Sequence, residues 1–539
     1  MDNFRLIKNS KYIYTIMKRF SRKDDNSAII NIGNNSFTAK LLIDYKNRKI
    51  SFKNDINLIT SSEDKVDITF HVRNSLLKAR LGIVSIDDEV ELEYPDEIFI
   101  GHRRQSSRHR VNPNSEVYLF NENLKRVMIY DISKNGLSFY TKDTLEVNSE
   151  INNYKLIISG KEIFINGEII QRRDYKDSKL YAVVFKDIKE EDKEIVFNFI
   201  FRDLFPNIKY WWECKEEDIY HIFKESGYLK DKAQNEDENE RNWNDALLIR
   251  KNSNNHSKIF SDLVYNKEFP ITCASALKIY NKTYLAHQLA SKPSTVKKMI
   301  ALKNIYSALD YWLIETEDFE YFVSYFSIVK WHDKMFISII NLVNDKNILD
   351  YDRFVFFNVN ISNTKTFCET EINTNICYDV TQFISFINEK FGKLETEIYE
   401  YNNDFYLGKI KNEYKLNGLH IDRELYEFAY DNRIIGYGVA ETFSNGLNLF
   451  NLLDTCRVYI DNQFEFLINA LLKNMINKLN LFYIKNGKQN YNIFFITNTQ
   501  HDIKFNNKDE GIEFAIWGGR MKATKNGIIH YKKLFESMY

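Results

Sequence analysis

Short runs rich in β-branched and aromatic residues dominate residues 66–185, and in several of them hydrophobic and polar positions alternate. Alternation with a period of two is the pattern of a β-strand that buries one face. Four such runs lie before the arginines at 103 and 104: residues 66–73, 81–86, 91–95 and 98–100. Six more follow: residues 116–120, 126–130, 137–141, 154–158, 163–170 and 181–185. The pattern therefore predicts two successive β-rich regions.

A helix is predicted to close the second β-rich region, from Lys189 to Leu204. Its first turn is acidic, with Glu190, Glu191 and Asp192, and negative charge is favourable at the positive end of the helix dipole. An apolar stripe runs along one side of the segment, and Pro206 follows its end. Proline cannot continue a helix, so the boundary is marked.

The pattern changes beyond residue 210. Trp211–Phe223 is predicted to be helical, and the charged, polar stretch Lys230–Ser257 is predicted to be a linker or mobile loop. A new domain is expected to begin near Phe260.

Two segments of this C-terminal region, residues 276–287 and 426–438, each place a polar pair between two alternating runs. The pairs are Asn281-Lys282 and Asp431-Asn432, and such pairs are typical of β-hairpin turns. After the second hairpin the sequence predicts a strand over residues 447–460, an amphipathic helix over about 463–480 and a strand over 492–496.

Composition narrows the class of protein. The chain has 539 residues, which suggests three or four domains, and its formal net charge is −1. A generally basic, DNA-binding chain is therefore not indicated, and no nucleic-acid partner is expected. No apolar run reaches the length of a membrane span, and the N-terminus does not resemble a signal peptide. The five cysteines, at positions 214, 273, 368, 377 and 456, form no CxxC pair or zinc pattern. We expect free thiols, no metal site and a cytoplasmic protein.

Two short motifs carry the candidate chemistry. Arg103, Arg104 and Arg108 form a cluster just before the second β-rich region, and Asp131-Ile-Ser133-Lys-Asn-Gly136 follows its second strand. Guanidinium groups hold phosphates by bidentate hydrogen bonds, and they also bind the O6/N7 edge of guanine or stack on it. Each motif alone is typical of a charged face or a turn. Their order and spacing point to one ligand with phosphates and guanines.

Residues 100–200 resemble the PilZ family of bacterial cyclic di-GMP receptors, whose signatures are RxxxR followed by [DN]xSxxG. Here the signatures are Arg104-xxx-Arg108 and Asp131-x-Ser133-xx-Gly136. The resemblance implies a six-stranded antiparallel β-barrel with a C-terminal helix, and cyclic di-GMP as a regulatory ligand. The chain has no EAL- or GGDEF-like segment, so it is expected to read this messenger without making or degrading it.

The resemblance also implies a role for each signature residue. Arg104 and Arg108 are expected to close over the nucleotide and bind guanine and phosphate oxygens. Asp131 is expected to accept from the guanine N1/N2 edge, and Ser133 to bond to phosphate or guanine. Gly136 is expected to permit a positive φ or a close approach of the ligand. Arg103 resembles the third arginine of family members that bind an intercalated nucleotide pair.

The N-terminal hundred residues resemble the flagellar-brake architecture, in which a split β-barrel precedes the PilZ domain. That arrangement makes the arginine segment a hinge, so that ligand binding reorients the two domains. The predicted organisation is therefore multidomain and α+β: a flagellar-brake-like β-barrel over 1–100, a PilZ domain over 101–206, a helical segment and linker over 207–259, and an α/β region over 260–539.

The C-terminal order of hairpin, strand, helix and strand is similar to the core of GNAT-type acyltransferases, present twice. GNAT enzymes hold the pyrophosphate of acetyl- or acyl-CoA on a glycine-containing loop. The corresponding segment here, Asp461–Phe466, lacks glycine and carries two carboxylates. Lys292–Lys298, in the first copy, also lacks glycine. Glu441, Tyr459 and His287 are candidate catalytic groups that the sequence does not separate from core residues.

Three functions remain open at this level. The first is an effector that binds cyclic di-GMP and changes the contacts of its C-terminal region with a protein target in motility, secretion or the envelope. The second is a GNAT-type acyltransferase under cyclic di-GMP control. The third is nonspecific binding of RNA or acidic surfaces by the arginines, which the intact DxSxxG motif disfavours.

Overall fold

The computed structural model describes the chain outside residues 1–3, 8–9, 22–26, 33–34, 45, 54–64, 73–74, 88, 103–107, 113–114, 122–124, 176, 228–235, 253–258, 294–297, 328–348, 364–370, 403, 450–451, 497–503, 506–508, 511 and 521–539. The chain divides into two compact units, Met1–Ile200 and Phe201–Tyr539. It is a multidomain protein of mixed α and β structure, as the sequence predicted.

A nine-stranded sheet and one helix, α1 (Ser10–Phe20), make up the first part of the first unit. Isoleucine, leucine, valine and phenylalanine side chains from alternating strand positions fill its core, and α1 contributes Phe20, whose ring centroid lies 4.7 Å from that of Phe70. The strands are β1 (Phe4–Ile7), β2 (Ser27–Ile32), β3 (Asn35–Lys40), β4 (Leu42–Asp44), β5 (Lys49–Lys53), β6 (Lys65–Val72), β7 (Ser75–Ile86), β8 (Glu89–Leu92) and β9 (Ile98–His102). The predicted β-rich N-terminal region is therefore confirmed.

The second part of the first unit is an antiparallel barrel. Its strands are β10 (His109–Arg110), β11 (Val117–Phe120), β12 (Arg126–Ser133), β13 (Gly136–Thr141), β14 (Glu150–Ile158), β15 (Lys161–Tyr175) and β16 (Ser178–Lys186). The pairings run β12-β11-β14-β15-β16-β13, and β13 also pairs with β12, so six strands form a closed ring to which β10 adds. Helix α2 (Glu190–Leu204) follows. Six strands and a helix are what the sequence predicted here.

The second unit has one twelve-stranded sheet, in the order β17-β18-β19-β20-β21-β30-β22-β27-β26-β25-β24-β23. These strands are β17 (Ile208–Tyr210), β18 (Phe260–Asn266), β19 (Pro270–Lys278), β20 (Thr283–Ser291), β21 (Tyr321–Ser327), β22 (Leu349–Asn360), β23 (Ile372–Ile376), β24 (Ile421–Tyr430), β25 (Arg433–Phe443), β26 (Thr455–Ile460), β27 (Asn490–Ile496) and β30 (Ile512–Arg520). The short strands β28 (Lys504–Phe505) and β29 (Asp509–Glu510) pair separately.

The helices of this unit are α3 (Glu216–Glu225), α4 (Glu236–Asn252), α5 (Lys298–Glu315), α6 (Val380–Lys390), α7 (Lys393–Ile398), α8 (Gly408–Leu416) and α9 (Ile468–Lys485). Short 3-10 helices span Trp211–Glu213, Ile361–Asn363 and Asn462–Leu467. Among the described residues, no helix combines the length and the apolar character that crossing a bilayer requires.

The sheet of the second unit contains the same succession of elements twice. A strand, a set of helices, three antiparallel strands, a helix and a parallel strand make up β17 to β21, and the same order recurs from β23 to β27. In each copy the last strand lies parallel to its neighbour: β21 to β20, and β27 to β26. Hairpin, strand, helix and strand thus recur in the element order, but the two predicted hairpins are not equivalent. The first, β19–β20, joins the second and third antiparallel strands of its copy, whereas the second, β24–β25, joins the first and second strands of its copy.

The strands that follow each copy are exchanged. β22 follows the first copy along the chain, yet it pairs with β27 of the second copy. β30 follows the second copy, yet it pairs with β21 of the first. β22 and β30 also pair with each other. Backbone hydrogen bonds therefore join the copies into one continuous sheet, and each copy is extended by a strand that follows the other copy along the chain.

Two predictions for this region need correction. Helix α4 occupies much of the segment predicted to be a linker, because Trp243 and Ala246 are buried in a cluster with side chains of α3, β18, β19 and β20 and with Leu449. The strand predicted over residues 447–460 begins only at Thr455, since turns occupy the described residues before it. The hairpin prediction at Asp431-Asn432 is confirmed: both residues have positive φ, 48° and 59°, as a tight two-residue turn requires.

Candidate functional site

The DxSxxG segment forms the hairpin between β12 and β13. Ser133 pairs with Gly136 across a turn of two residues. The Ser133 hydroxyl donates to the Gly136 carbonyl oxygen at 3.0 Å, and Ser133 is buried. A serine hydroxyl that bonds to nearby backbone is a common way to stabilise a turn. In this structure Ser133 therefore stabilises the hairpin on which Asp131 lies.

Gly136 is required by the approach of a neighbouring strand. It pairs with Val184 of β16, and a Cβ atom at this position would lie 2.3 Å from the Val183 carbonyl oxygen. Its φ is not positive. Of the two expected reasons for glycine, the positive φ is therefore wrong, and the close approach of a ligand stays a prediction. Close backbone packing between β13 and β16 already excludes a side chain at this position.

Asp131 and Arg108 bring the two motifs together. Arg108 Nη1 lies 3.0 Å from Asp131 Oδ1. The strand register supports this contact, because β10 begins at the next residue, His109, and pairs with β12 so that Arg110 is opposite Asp131. The side chains retain 12% and 16% of their exposure, so the pair is largely but not wholly removed from solvent.

Ser138 joins this pair, although neither motif includes it. Arg108 Nη1 donates a short hydrogen bond to the Ser138 hydroxyl. Ser138 lies directly opposite Asp131 in the β12–β13 register and is buried. Sequence reasoning missed Ser138, and the available signal was its position two residues after Gly136, on an alternating strand that pairs with β12. Arg108, Asp131 and Ser138 are called the barrel cluster below.

The other arginines of this region differ in their surroundings. Arg103 and Arg104 lie outside the described residues. Arg110 stacks over the Tyr130 ring, with 4.9 Å between the guanidinium carbon and the ring centroid. Arg172 and Arg173 lie on exposed positions of β15, and Arg172 Nη2 is 3.4 Å from Asp174 Oδ1. Of the three clustered arginines, Arg103, Arg104 and Arg108, the last is the one whose placement the structure describes.

The family comparison matches this part of the chain. Residues 102–202 match the model of the PilZ domain. These residues form a PilZ domain. The PilZ domain predicted from the two signatures is thereby confirmed, and the closed six-stranded barrel with its helix agrees with it.

Solved structures with similarity to part of the chain include K. pneumonia MrkH in complex with c-di-GMP, at 16% identity over 37% of this chain and 96% of that chain, with a TM-score of 0.26. They also include Escherichia coli YcgR in complex with c-di-GMP, at 12% identity over 36% of this chain and 91% of that chain, with a TM-score of 0.27. Borreliella burgdorferi PlzA in complex with c-di-GMP has 13% identity over 36% of this chain and 93% of that chain, with a TM-score of 0.14. No curated protein matches the sequence.

A second group of charged side chains lies inside the second unit. Glu441 of β25 accepts from Arg423 Nε of β24 at 2.8 Å, and it also accepts a short hydrogen bond from Arg457 Nη1 of β26. The Tyr280 hydroxyl lies 2.9 and 2.8 Å from the two carboxylate oxygens. The three charged side chains are at most 2% exposed. Arg423, Glu441 and Arg457 are called the buried cluster below.

Electrostatics keep Glu441 ionised. Burial by itself raises the pKa of this carboxyl group, but the charges of Arg423 and Arg457, together with their hydrogen bonds, bring the pKa below its usual value. Burial raises the pKa of Tyr280 well above its usual value, so this phenol remains protonated. The cluster therefore holds two positive charges and one negative charge away from water.

Tyr459 belongs to the surroundings of the buried cluster. Its hydroxyl donates to Glu395 Oε1 at 2.6 Å and lies 3.1 Å from the Tyr401 hydroxyl. Burial raises the pKa of Tyr459 well above its usual value. Two of the three candidate catalytic groups, Glu441 and Tyr459, are therefore buried and hydrogen-bonded.

His287 lies apart from them, in the first copy. Its Nδ1 lies 3.1 Å from Asn448 Nδ2, and because an amide nitrogen can only donate, Nδ1 is the acceptor. Burial lowers the pKa of His287 to about 3, so the imidazole is neutral at physiological pH. The structure does not bring His287 together with the other two candidates. In the described part of the chain, no group of three or more metal-ligating side chains occurs, and the four cysteines seen there are free.

Proposed function

We propose that this protein is a cytoplasmic cyclic di-GMP receptor and effector. Its nucleotide site consists of Arg103, Arg104 and Arg108 with Asp131, Ser133 and Gly136. The observation that carries the proposal is the 3.0 Å ion pair between Arg108 and Asp131, which joins the RxxxR and DxSxxG signatures at one place on the barrel. A pair with some remaining exposure has access to a ligand.

The chemistry of the residues suits a cyclic dinucleotide. Guanidinium groups bind phosphate oxygens and the O6/N7 edge of guanine, and a carboxylate such as Asp131 accepts from guanine N1 and N2. Ser133 and Gly136 act on the shape of the hairpin that carries Asp131. Arg103 supplies a third guanidinium, which stacks on an outer guanine when two nucleotides bind.

Cyclic di-GMP binding acts on the segment that connects the N-terminal sheet of the first unit to its barrel. β9 ends at His102 and β10 begins at His109, so the signature arginines connect the N-terminal sheet to the barrel. Ligand that holds Arg104 and Arg108 orders this connection and reorients the N-terminal domain against the PilZ domain. The C-terminal region then changes its contacts with a protein target in motility, secretion or the envelope.

Calorimetric titration of the full chain with cyclic di-GMP tests the receptor function. We expect binding at micromolar concentration or tighter, and loss of binding in Arg104→Ala and Asp131→Ala. A stoichiometry near two that falls to one in Arg103→Ala supports the stacking role of Arg103. Arg172→Ala is the matched control, because this arginine is exposed and lies beside Asp174.

Two outcomes contradict the proposal. A folded wild-type chain that does not bind cyclic di-GMP rules out the receptor function. If a polynucleotide competes as effectively as unlabelled cyclic di-GMP, the arginines bind RNA or acidic surfaces without nucleotide specificity. Hydrogen exchange of residues 98–112 tests the hinge. Exchange that is equally fast with and without ligand contradicts ordering of this segment.

A GNAT-type acyltransferase under cyclic di-GMP control is the second candidate function. The observation that favours it is in the first copy, where the parallel strands β20 and β21 pair only over Thr283–Leu285 and then continue without pairing to each other. Gln288, just beyond, has a φ of 55°. Where two parallel strands separate, their backbone N–H and C=O groups can bond to an extended ligand such as the pantetheine arm of acyl-CoA.

The second copy disfavours this activity. β26 and β27 pair over five positions, from Thr455 to Tyr459. The segment that corresponds to the pyrophosphate loop is a 3-10 helix, and Asp461 caps it by accepting from the Gln463 backbone N–H at 3.1 Å. A carboxylate at this position repels a pyrophosphate.

Tryptophan fluorescence distinguishes the two candidates. All six tryptophans lie beyond residue 210, so their fluorescence follows the second unit alone during thermal unfolding. Acetyl-CoA is expected to leave this transition unchanged if the protein is an effector. A rise in the transition temperature with acetyl-CoA, absent with AMP, supports the acyltransferase.

A further inference from the structure

Ser138 is the residue of the barrel cluster that neither signature contains. We propose that Ser138 is a positioning residue of the nucleotide site: with Asp131, it holds one nitrogen of Arg108 so that the opposite edge of the guanidinium is presented to the ligand. This inference rests on the proposed function, because it concerns the same site. It adds a specific requirement for a hydroxyl at position 138.

The hydrogen bonds of Arg108 carry the argument. Its Nη1 atom has two N–H groups and two partners, Asp131 Oδ1 and the Ser138 hydroxyl. A guanidinium has five N–H donors in a planar fork. Nη1 is therefore saturated, and three donors remain on Nε and Nη2. Among the residues that the structure describes, Nε and Nη2 have no hydrogen-bond partner.

The edge of Arg108 formed by Nε and Nη2 is the one that can bind a nucleotide. Nε and Nη2 together form a two-pronged donor that matches two phosphate oxygens or the O6 and N7 atoms of guanine. Asp131 uses Oδ1 for Arg108, and its Oδ2 has no partner among the described residues. Arg108 therefore offers a bidentate donor, which suits a phosphate or the O6/N7 edge of guanine. Asp131 offers an acceptor oxygen, which suits guanine N1 and N2.

The strand pairing explains why Ser138 can act in this way. Ser138 lies opposite Asp131 on β12 and opposite Ala182 on β16, so strands on both sides fix its backbone. Its side chain is buried, which limits competition from water. With one acceptor alone, the guanidinium rotates about the single hydrogen bond to Asp131. With two acceptors its plane is set before the ligand arrives, and less rotational freedom is lost on binding.

A pair of substitutions of equal shape tests the proposal. Ser138→Thr keeps the hydroxyl and Ser138→Val replaces it by a methyl group, so packing changes equally in both. We expect cyclic di-GMP to bind the threonine variant with the wild-type Kd within about threefold, and the valine variant and Ser138→Ala about tenfold more weakly, as for the loss of one hydrogen bond to a charged group. Ser149→Ala is the control, since its hydroxyl donates to Glu146 O in another turn.

A double-mutant cycle separates positioning from a general structural role. In an Arg108→Lys background there is no guanidinium to orient, so we expect Ser138→Val to weaken binding less than twofold relative to Ser138→Thr. The same tenfold loss in that background overturns the proposal, because Ser138 then acts without Arg108. Equal affinities of the Thr and Val variants in the wild-type background also overturn it.

The outcomes distinguish this inference from the proposed function. If wild-type protein binds cyclic di-GMP and the Thr and Val variants bind equally, the receptor function stands and the role of Ser138 falls. If folded wild-type protein does not bind, both fall. If Ser138→Thr itself loses binding while Ser138→Ala retains it, the hydroxyl is not required and the inference is wrong.

Discussion

The barrel cluster and the buried cluster use the same side-chain chemistry in different surroundings. In the first, one arginine bonds to one carboxylate and one hydroxyl, and the charged groups keep 12% and 16% of their exposure. In the second, two arginines share one carboxylate, and the three side chains are at most 2% exposed. We infer that the barrel cluster can take up a ligand beside its protein partners, whereas the buried cluster cannot.

Desolvation is the physical reason. A charge that has already lost its water depends on its protein partners, and removing one partner leaves an uncompensated charge in a medium of low dielectric constant. Arg423 also donates to the Phe405 and Tyr399 carbonyl oxygens, at 3.1 and 2.9 Å. Arg108 instead keeps an edge without a described partner. The buried cluster therefore serves to join elements of the second unit, and the barrel cluster is suited to binding.

The largest effect is expected from Glu441→Gln. The substitution leaves Arg423 and Arg457 buried without a negative partner, and we expect the free energy of unfolding of the second unit to fall by about 3–5 kcal/mol. Urea unfolding monitored by tryptophan fluorescence measures it, since the six tryptophans all lie in this unit. Glu320→Gln is the control, because its pair with Lys282 is exposed. Equal effects of the two substitutions contradict a structural role for the buried cluster.

Gly136 and Gly436, one in each unit, both lie against the backbone of a neighbouring strand. A Cβ atom at Gly136 would lie 2.3 Å from the Val183 carbonyl oxygen, and one at Gly436 would lie 2.3 Å from that of Tyr459. Each alanine substitution is expected to cost about 1–3 kcal/mol, as for other overpacked sites. Gly136→Ala is expected to weaken cyclic di-GMP binding, measured by calorimetry, and Gly436→Ala is expected to leave it unchanged. Loss of binding in both variants contradicts a site confined to the barrel.

The pH dependence of the second unit is expected to follow His287. Its pKa is lowered to about 3 in the folded chain, against about 6.5 in an unfolded chain. Between these values the unfolded state binds the extra proton, so stability falls as the pH falls, by up to about 1.4 kcal/mol per pH unit.

Urea midpoints from tryptophan fluorescence at pH 7, 6 and 5 measure this slope above the range in which most carboxyl groups titrate. His287→Gln is expected to flatten it. An unchanged slope in the variant assigns the pH dependence to other groups.

The smallest effect on stability is expected from Arg108→Ala. Its ion pair with Asp131 keeps more exposure than the buried cluster, so its loss is expected to cost about 1–2 kcal/mol, whereas cyclic di-GMP binding is lost. Hydrogen exchange of the β12 and β13 amides measures the stability, and calorimetry measures the binding. If Arg108→Ala unfolds the barrel, the barrel cluster is structural in the same sense as the buried cluster, and the comparison between them fails.

Helix α4 and the strand that was predicted to begin before residue 455 show where sequence reasoning was limited. α4 is rich in charged residues, and its stability depends on burial of Trp243 and Ala246 in a cluster of residues distant in the sequence, from α3 to Leu449. A local pattern of charges predicts a linker, because it does not contain the packing partner. Similarly, the apolar residues Leu447 and Leu449 are buried by tertiary packing without being part of a strand.

Elements with a local physical origin follow from the sequence alone. Alternating positions specified the barrel strands, Asp431-Asn432 specified a tight turn, and the two signatures specified the PilZ domain. Each of these depends on the residues within a few positions of one another, through strand periodicity, turn geometry or motif spacing.

The tertiary structure specifies which distant residues meet. It closed the barrel between β12 and β13, exchanged β22 and β30 between the two copies, and brought Tyr280 to Glu441. It also placed Ser138 beside Arg108 and gave Gly136 its reason in the Val183 carbonyl oxygen. These contacts depend on strand order and register, and the periodicity of a single strand is the same whichever neighbour it pairs with.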